Sequence, residues 1–115
     1  MSAIIKKMYF ILQKLSPSNS KKYQIYEVYD DGTRSKIIKF GAQGYEDYTI
    51  HKDIERKNRY IVRHHAREGW SKANAHTPGF WSRWLLWNEP TLSRSIQDLK
   101  DRMGICIHVE RGYAY

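Results

Sequence analysis

The feature that most constrains this chain is a short segment crowded with large apolar side chains. Thr77 followed by Pro78 is typical of a helix start, because threonine caps a helix and proline fits its first turn. Residues 79–87 then read Gly-Phe-Trp-Ser-Arg-Trp-Leu-Leu-Trp. A helix that is apolar on every side is normally buried, so this segment predicts a helix that fills the core of a small domain. The aromatic side chains concerned are Phe80, Trp81, Trp84 and Trp87.

Two alternatives to burial of these aromatic side chains stay open at this point. Tryptophan and arginine are typical of interface hot spots, so the cluster could anchor a partner. Exposed tryptophans could also stack on nucleic-acid bases. Arg83, in the middle of the segment, is expected to stack on a neighbouring tryptophan by cation–π attraction.

Composition limits the class of protein. Of the 115 residues, 41% are hydrophobic and 14% aromatic, which is typical of one folded, soluble domain rather than a disordered chain. The formal net charge of +8 favours a polyanionic partner: nucleic acid, an anionic membrane surface or an acidic protein face. Lysine and glutamine interrupt the apolar residues near the N-terminus, so we expect neither a signal peptide nor a membrane span. The single cysteine, Cys106, allows no internal disulfide.

The periodicity of the chain predicts an α+β fold in a single domain over residues 1–115. A β part covers 1–41, a helical part covers 42–104, and a strand with a tail covers 105–115. Antiparallel strands are predicted at 6–15, 23–29 and 35–40, and a short C-terminal strand at 105–109. Helices are predicted at 50–67, 79–87 and 90–103.

Turn and cap residues support these elements. Asp30-Asp31-Gly32 predicts a hairpin turn, because glycine readily takes the positive φ of tight hairpins. Thr49 is the expected N-cap of the first helix, whose apolar stripe would be Ile50, Ile54 and Ile61. Gly104 is expected to end the last helix, and the stripe of that helix is Leu92, Ile96, Leu99 and Met103.

The first predicted helix carries a row of cations at steps of three and four, which places them on one helical face. Such a row fits the spacing of phosphates, and arginine can grip a phosphate with two hydrogen bonds. An acidic protein surface is a second interpretation, and a solvated face with local ion pairs to Asp53, Glu55 and Glu68 is a third. The row, a candidate polyanion- or partner-binding site, consists of Lys52, Arg56, Arg59, Arg63 and Arg67.

Few groups could carry catalysis. Glu46, Asp47 and His51 could serve a metal-dependent nuclease, but their spacing is unspecific, and Asp47 is as easily a turn or capping residue. Cys106 and His108 point the same way on a predicted strand and would need two further ligands to hold zinc. We therefore expect no enzyme, no cofactor and no metal site.

Two groups of residues resemble a family of short uncharacterised proteins of large nucleocytoplasmic DNA viruses, among them relatives of mimiviruses and chlorella viruses. The first is His51-Lys52-Asp53, Arg56-Lys57, Arg59-Tyr60 and Arg63-His64, and the second is the run from Gly79 to Asn88 with Pro90-Thr91-Leu92. The resemblance covers residues 40–104 and implies a viral origin and a small compact domain, but no active site. Pro78 and Glu89 depart from the family's pattern, which has a small residue and a lysine there.

Together these features predict a non-enzymatic virion structural protein, a minor capsid protein that links larger capsid components. The alternative is a basic nucleic-acid-binding protein for viral genome packaging or transcription, and a small nuclease ranks last. The expected partners are other viral structural proteins, with DNA bound through the basic helix in the alternative. The expected location is the virion, and the host cytoplasm or viral factory during assembly.

Overall fold

A four-stranded mixed sheet forms the base of the fold in the computed structural model, which describes residues 8–114. Its strands are β1 (Tyr9–Leu15), β2 (Lys21–Val28), β3 (Ile38–Ala42) and β4 (Ile107–Ala114). Their spatial order is β3-β2-β1-β4, with β1–β2 and β2–β3 antiparallel and β1–β4 parallel. The predicted α+β class, with N-terminal antiparallel strands and a C-terminal strand, is confirmed. Residues 6 and 7 of the first predicted strand lie outside the described residues.

The hairpin between β2 and β3 turns where it was predicted, and Gly32 there has a φ of 85°. However, β3 begins at Ile38 rather than at residue 35. The reason is Ser35, whose hydroxyl accepts the backbone N–H of Glu27 at 2.8 Å. A side-chain acceptor thus replaces a backbone carbonyl of the ladder, and the regular strand starts only beyond it.

The C-terminal strand is longer than the predicted 105–109, because β4 continues through most of the polar tail to Ala114. Its pairing with β1 shifts between Gln13 and Lys14, and Gly112 takes a φ of 82° at this irregularity. Strand β4 lies at the sheet edge, where polar side chains reach water on several sides. The polar tail therefore looked like a loop in the sequence although its backbone is extended.

The predicted helix over 50–67 is wrong as a single element. Two helices, α1 (Tyr48–His51) and α2 (Ile54–His65), occupy this region. Between them, Lys52 has a φ of 54°, in the left-handed region. The carboxylate of Asp53 then accepts the backbone N–H of Glu55 at 3.0 Å and caps a new helix. An aspartate that competes for backbone donors favours such a restart over a continuous helix.

The N-cap of α1 is Asp47 rather than Thr49. The Asp47 carboxylate accepts the backbone N–H of Thr49 at 2.9 Å and is buried. The interpretation of Asp47 as a capping residue is therefore confirmed.

The aromatic segment forms α3 (Pro78–Trp81), which continues directly into a π-helical turn (Ser82–Leu86). As predicted, the Thr77 hydroxyl caps α3 by accepting the N–H of Phe80 at 3.3 Å. The last helix, α4 (Leu92–Met103), is capped by Thr91 and ends, as predicted, at Gly104. A short 3-10 turn (Lys72–Asn74) precedes α3.

The core lies between one face of the sheet and the segment formed by α3, the π-helical turn and α4. Phe80 and Trp81 are fully buried and Trp84 nearly so. The ring of Trp81 meets Phe10 of β1 edge to face at 4.9 Å. These aromatic side chains therefore fill the core and are not an exposed anchor. The core also contains Leu12, Ile25, Phe40, Leu85, Leu86, Leu99 and Ile105.

Among the described residues, no helix has the length and apolar character to cross a membrane.

Candidate interaction site

Helix α2 is held to the rest of the molecule mainly by Tyr60, the one residue of this helix that is buried. The Tyr60 ring stacks on Trp87 at 4.4 Å with an interplanar angle of 2°. On its other side it stacks on His64 at 4.2 Å. Burial raises the pKa of the Tyr60 hydroxyl, with the Glu68 carboxylate adding to the effect, so the side chain is neutral. A column of three rings therefore anchors α2.

Helix α2 exposes two apolar side chains, one at its start and one in its second half. Ile54 is 53% exposed and Val62 is 77% exposed, and Ile50 of α1 is also exposed. The prediction that Ile50, Ile54 and Ile61 form the apolar stripe of one helix is therefore wrong, because Ile50 lies on α1 and the other two lie on α2. The break at Lys52 explains the difference, because α2 restarts with a different rotation and buries Tyr60 instead.

Arginines of α2 lie beside Val62. Arg56, Arg59 and Arg63 lie on α2 within about 60° of arc at 3.6 residues per turn. Lys52 and Arg67, the ends of the predicted row, lie outside the helix. The row therefore shortens to three arginines on one helix.

The partners of these cations differ. Arg56 pairs with Glu46 at 3.3 Å. The Lys52 ammonium donates to the backbone carbonyls of Thr49 at 2.7 Å and Pro90 at 2.9 Å, so it ties α1 to the start of α4. Within residues 8–114, neither Arg59 nor Arg63 has an ion-pair partner. These two guanidinium groups are therefore available to an external anion.

A cleft of about 550 Å³ lies between α2, α3 and the ends of β2 and β3. One wall holds the ion pair between Lys22 and Asp47, whose atoms are 2.7 Å apart and whose side chains are almost fully buried. The opposite wall holds His64, whose ring nitrogen Nδ1 lies 2.7 Å from the Glu68 carboxylate. The indole N–H of Trp70 donates to the same carboxylate at 3.0 Å. The carboxylates of both walls are thus engaged in local contacts.

Glycines let the elements around the cleft approach closely. A Cβ on Gly79 would lie 2.8 Å from a carboxylate oxygen of Glu68. A Cβ on Gly41, which has a φ of 75°, would lie 2.8 Å from the Leu86 side chain. A side chain at either position would have to displace the end of the Leu86 or the Glu68 side chain, and at Gly41 the positive φ would add backbone strain.

The residues proposed for catalysis are held in structural contacts. Glu46 is the partner of Arg56, and Asp47 caps α1. His51 accepts the N–H of Asp53 on its Nδ1 at 2.9 Å and its ring lies against Trp87. Among residues 8–114, no group of three or more His, Cys, Asp or Glu side chains could hold a metal ion.

Arg83 of the π-helical turn contacts three tryptophan residues, one of which, Trp87, stacks on Tyr60 of α2. Its guanidinium group is 4.4 Å from the ring centre of Trp84 and 5.3 Å from that of Trp70. The predicted cation–π contact is therefore confirmed. Its side chain also donates to the Trp87 carbonyl at 2.9 Å, and burial lowers the pKa of Arg83. No sequence pattern indicates the roles of Tyr60 and Trp70, because each is a single aromatic residue in a mostly polar stretch.

Residues 13–64 of the chain are similar to a family of unknown function (DUF5754), and this segment is less than half of the chain. The matched part includes the three arginines of α2 and ends before the aromatic helix. Neither a curated protein nor a solved structure matches the chain.

Proposed function

We propose that this chain is a non-enzymatic structural protein of a virion, a minor capsid component whose helix α2 docks on an acidic surface of a larger structural protein. The observation that carries the proposal is the exposed face of α2. Val62 presents apolar surface there, next to Arg59 and Arg63, which lack ion-pair partners among the described residues. An apolar centre with arginine beside it is typical of protein interfaces.

The composition of this face favours a protein partner over nucleic acid. Phosphate binding is strongest where a row of cations is uninterrupted. On α2, however, Glu55 lies on the exposed side and Arg56 is already paired with Glu46, so the row is interrupted. Ile54 and Val62 have no ring that could stack on a base. An acidic protein surface with apolar side chains matches both components of the face.

The virion setting is supported by the resemblance of residues 40–104 to proteins of large DNA viruses, and α2 lies inside that segment. A linking protein needs a second attachment point, and the edge strand β4 offers one. Its exposed Val109 and Tyr113 lie along an edge that could add to a neighbouring sheet.

The proposal is tested by site-specific cross-linking in purified particles of the virus that encodes the chain. A photo-reactive amino acid replaces Val62, and an identical probe replaces Ile37 as the matched control, because Ile37 is exposed and lies between β2 and β3. We expect the Val62 probe to link to an acidic segment of one abundant virion protein, and the Ile37 probe not to link to it. Equal links from both positions would contradict docking through α2.

The second candidate is a nucleic-acid-binding role in genome packaging or transcription, which the net charge of +8 and the three clustered arginines support. Quantitative mass spectrometry of particles before and after removal of DNA by nuclease and salt separates the two. A capsid component stays with the shell, whereas a phosphate-bound protein leaves with the genome. Departure with the genome, or absence from particles, would overturn the capsid proposal.

A further inference from the structure

We propose that the cleft between α2, α3 and the ends of β2 and β3 binds a nucleotide, with the base against Tyr45 and the phosphate between Lys21 and Arg63. Apart from Arg63, which lines both, this site is separate from the outer face of α2 and would serve a separate activity. Its volume of about 550 Å³ lies within the usual range of small-molecule sites, which is roughly 300–1,000 Å³.

The charges that line the cleft favour an anion. Its three carboxylates, on Glu46, Asp47 and Glu68, each contact a basic group of the wall. Lys21 and Arg63 line the same cleft and have no ion-pair partner within residues 8–114. An entering phosphate would therefore meet two uncommitted cations, while the Glu46 and Asp47 carboxylates are already paired with Arg56 and Lys22.

The apolar part of the cleft favours a ligand with a flat ring. Trp87, which is half-buried, contributes apolar surface to its lining, whereas Phe40 and Leu86 of the lining are buried. Tyr45 also lines the cleft, is 73% exposed, and has no ring partner among the described residues. A free aromatic face beside two cations matches the two halves of a nucleotide, since bases stack on aromatic side chains and phosphate pairs with lysine and arginine.

The walls of the cleft are formed before any ligand arrives. The buried pair between Lys22 and Asp47 joins β2 to the start of α1. The contact of Glu68 with His64 and its close approach to Gly79 join the end of α2 to α3. A site with preformed walls loses less entropy when it binds a ligand than one that must first close.

The test is a titration of the isotope-labelled protein followed by amide shifts in nuclear magnetic resonance. Adenosine 5′-monophosphate, a short single-stranded oligothymidine and inorganic phosphate are the three probes. We expect shifts at Gly41, Ala42 and Gly79 with at least one of the first two probes, and much weaker binding of inorganic phosphate. The first two probes distinguish a free nucleotide from a nucleotide unit of single-stranded nucleic acid.

Variants assign the two halves of the site. Tyr45→Ala should weaken nucleotide binding about tenfold, because stacking of one base on an aromatic side chain has an effect of this size. Lys21→Ala should weaken it as well, whereas the exposed controls Tyr113→Ala and Lys36→Ala, whose residues do not line this cleft, should leave it unchanged.

Two results would overturn the proposal. One is the absence of shifts with both nucleotide probes at concentrations of several millimolar. The other is binding of inorganic phosphate as tight as that of the nucleotides, or binding that Tyr45→Ala does not change, which would leave a general anion site only. Neither result bears on the α2 face, because the cross-linking experiment uses Val62, which lies outside this cleft.

Discussion

Helices α2 and α4 have equal length and similarly amphipathic sequences, yet they are attached to the sheet in different ways. Helix α4 buries Leu99 completely and packs Ile96 and Met103 against the core. Helix α2 buries only Tyr60, while Ile54 and Val62 face outward. An apolar stripe in a sequence therefore does not say whether the domain itself or an external partner covers it.

The difference has an energetic consequence. A fully buried aliphatic side chain contributes about 1.5–3 kcal/mol to folding, so Leu99 couples α4 to the core by such an amount, and the partly buried Leu92, Ile96 and Met103 add smaller contributions. Helix α2 depends on a column of stacked rings, and aromatic pairs of this kind add about 0.5–1.5 kcal/mol beyond the area they bury. We expect α2 to open locally at a lower free energy than α4.

We expect the greatest loss of stability from a substitution in the aromatic segment of the core. Trp84→Ala should lower the free energy of unfolding by about 3–5 kcal/mol, as other large-to-small changes in a core do. Trp84 is buried, its indole N–H donates to the Trp70 carbonyl at 2.8 Å, and Arg83 and Arg102 lie over its ring. Urea denaturation measures the change, and a variant as stable as the parent would contradict the assignment of Trp84 to the core.

A smaller loss of stability is expected from a substitution at Tyr60, which attaches α2 to the rest of the molecule. Tyr60→Ala should lower the free energy of unfolding by about 2–3 kcal/mol, since the helix can detach while the rest of the core stays packed. Hydrogen exchange should then show loss of protection in α2 but not in α4. Tyr60→Phe is the matched control and should change stability little, because it keeps the stacked ring. Uniform loss of protection in both helices would refute independent opening of α2.

The next prediction concerns pH and the anchoring of α4. Burial raises the pKa of Asp98, but hydrogen bonds from Arg102 and Asn88 and the positive charge of Arg83 outweigh it, so the pKa lies below its usual range. A carboxyl group with a lowered pKa stabilises the fold above its unfolded pKa of about 3.9, and this contribution is lost as the pH falls further. Asp98→Asn should therefore flatten the decline in stability below about pH 4.

Urea titrations at pH 7, 4 and 3 measure the Asp98 effect. Asp101→Asn is the control, because Asp101 is exposed and accepts only a side-chain hydrogen bond from Gln97. Equal pH profiles for the two variants would show that the contacts of Asp98 do not contribute to acid stability.

The smallest effect on stability is expected on the outer face of α2. Replacement of Arg56, Arg59 and Arg63 by alanine should leave the fold intact, with a change in the free energy of unfolding within about 0.5 kcal/mol, as is usual for exposed positions. The same variant should lose binding to the partner that the Val62 probe identifies. A clear loss of stability would mean that the arginines serve the fold rather than a partner.

Several features could be predicted from the sequence because they depend on neighbours along the chain. The Thr77 cap, the end of α4 at Gly104 and the hairpin turn at Gly32 each follow from backbone chemistry within a few residues. The contact of Arg83 with Trp84 follows from their adjacent positions on one helix. Candidate site residues were found on the same basis, since a spacing of three and four groups Arg56, Arg59 and Arg63.

The class of fold, the aromatic segment of the core and the basic character of α2 therefore follow from the amino-acid sequence alone. Packing between distant parts of the chain determines that Tyr60 rather than the isoleucines is buried and that β4 extends along β1. It alone brought Lys21, Tyr45 and Arg63 to one cleft. The physical reason is that caps and turns depend on local bonds, whereas burial and clefts depend on which distant surfaces pack together, and residues far apart in the chain carry no periodic signal of that packing.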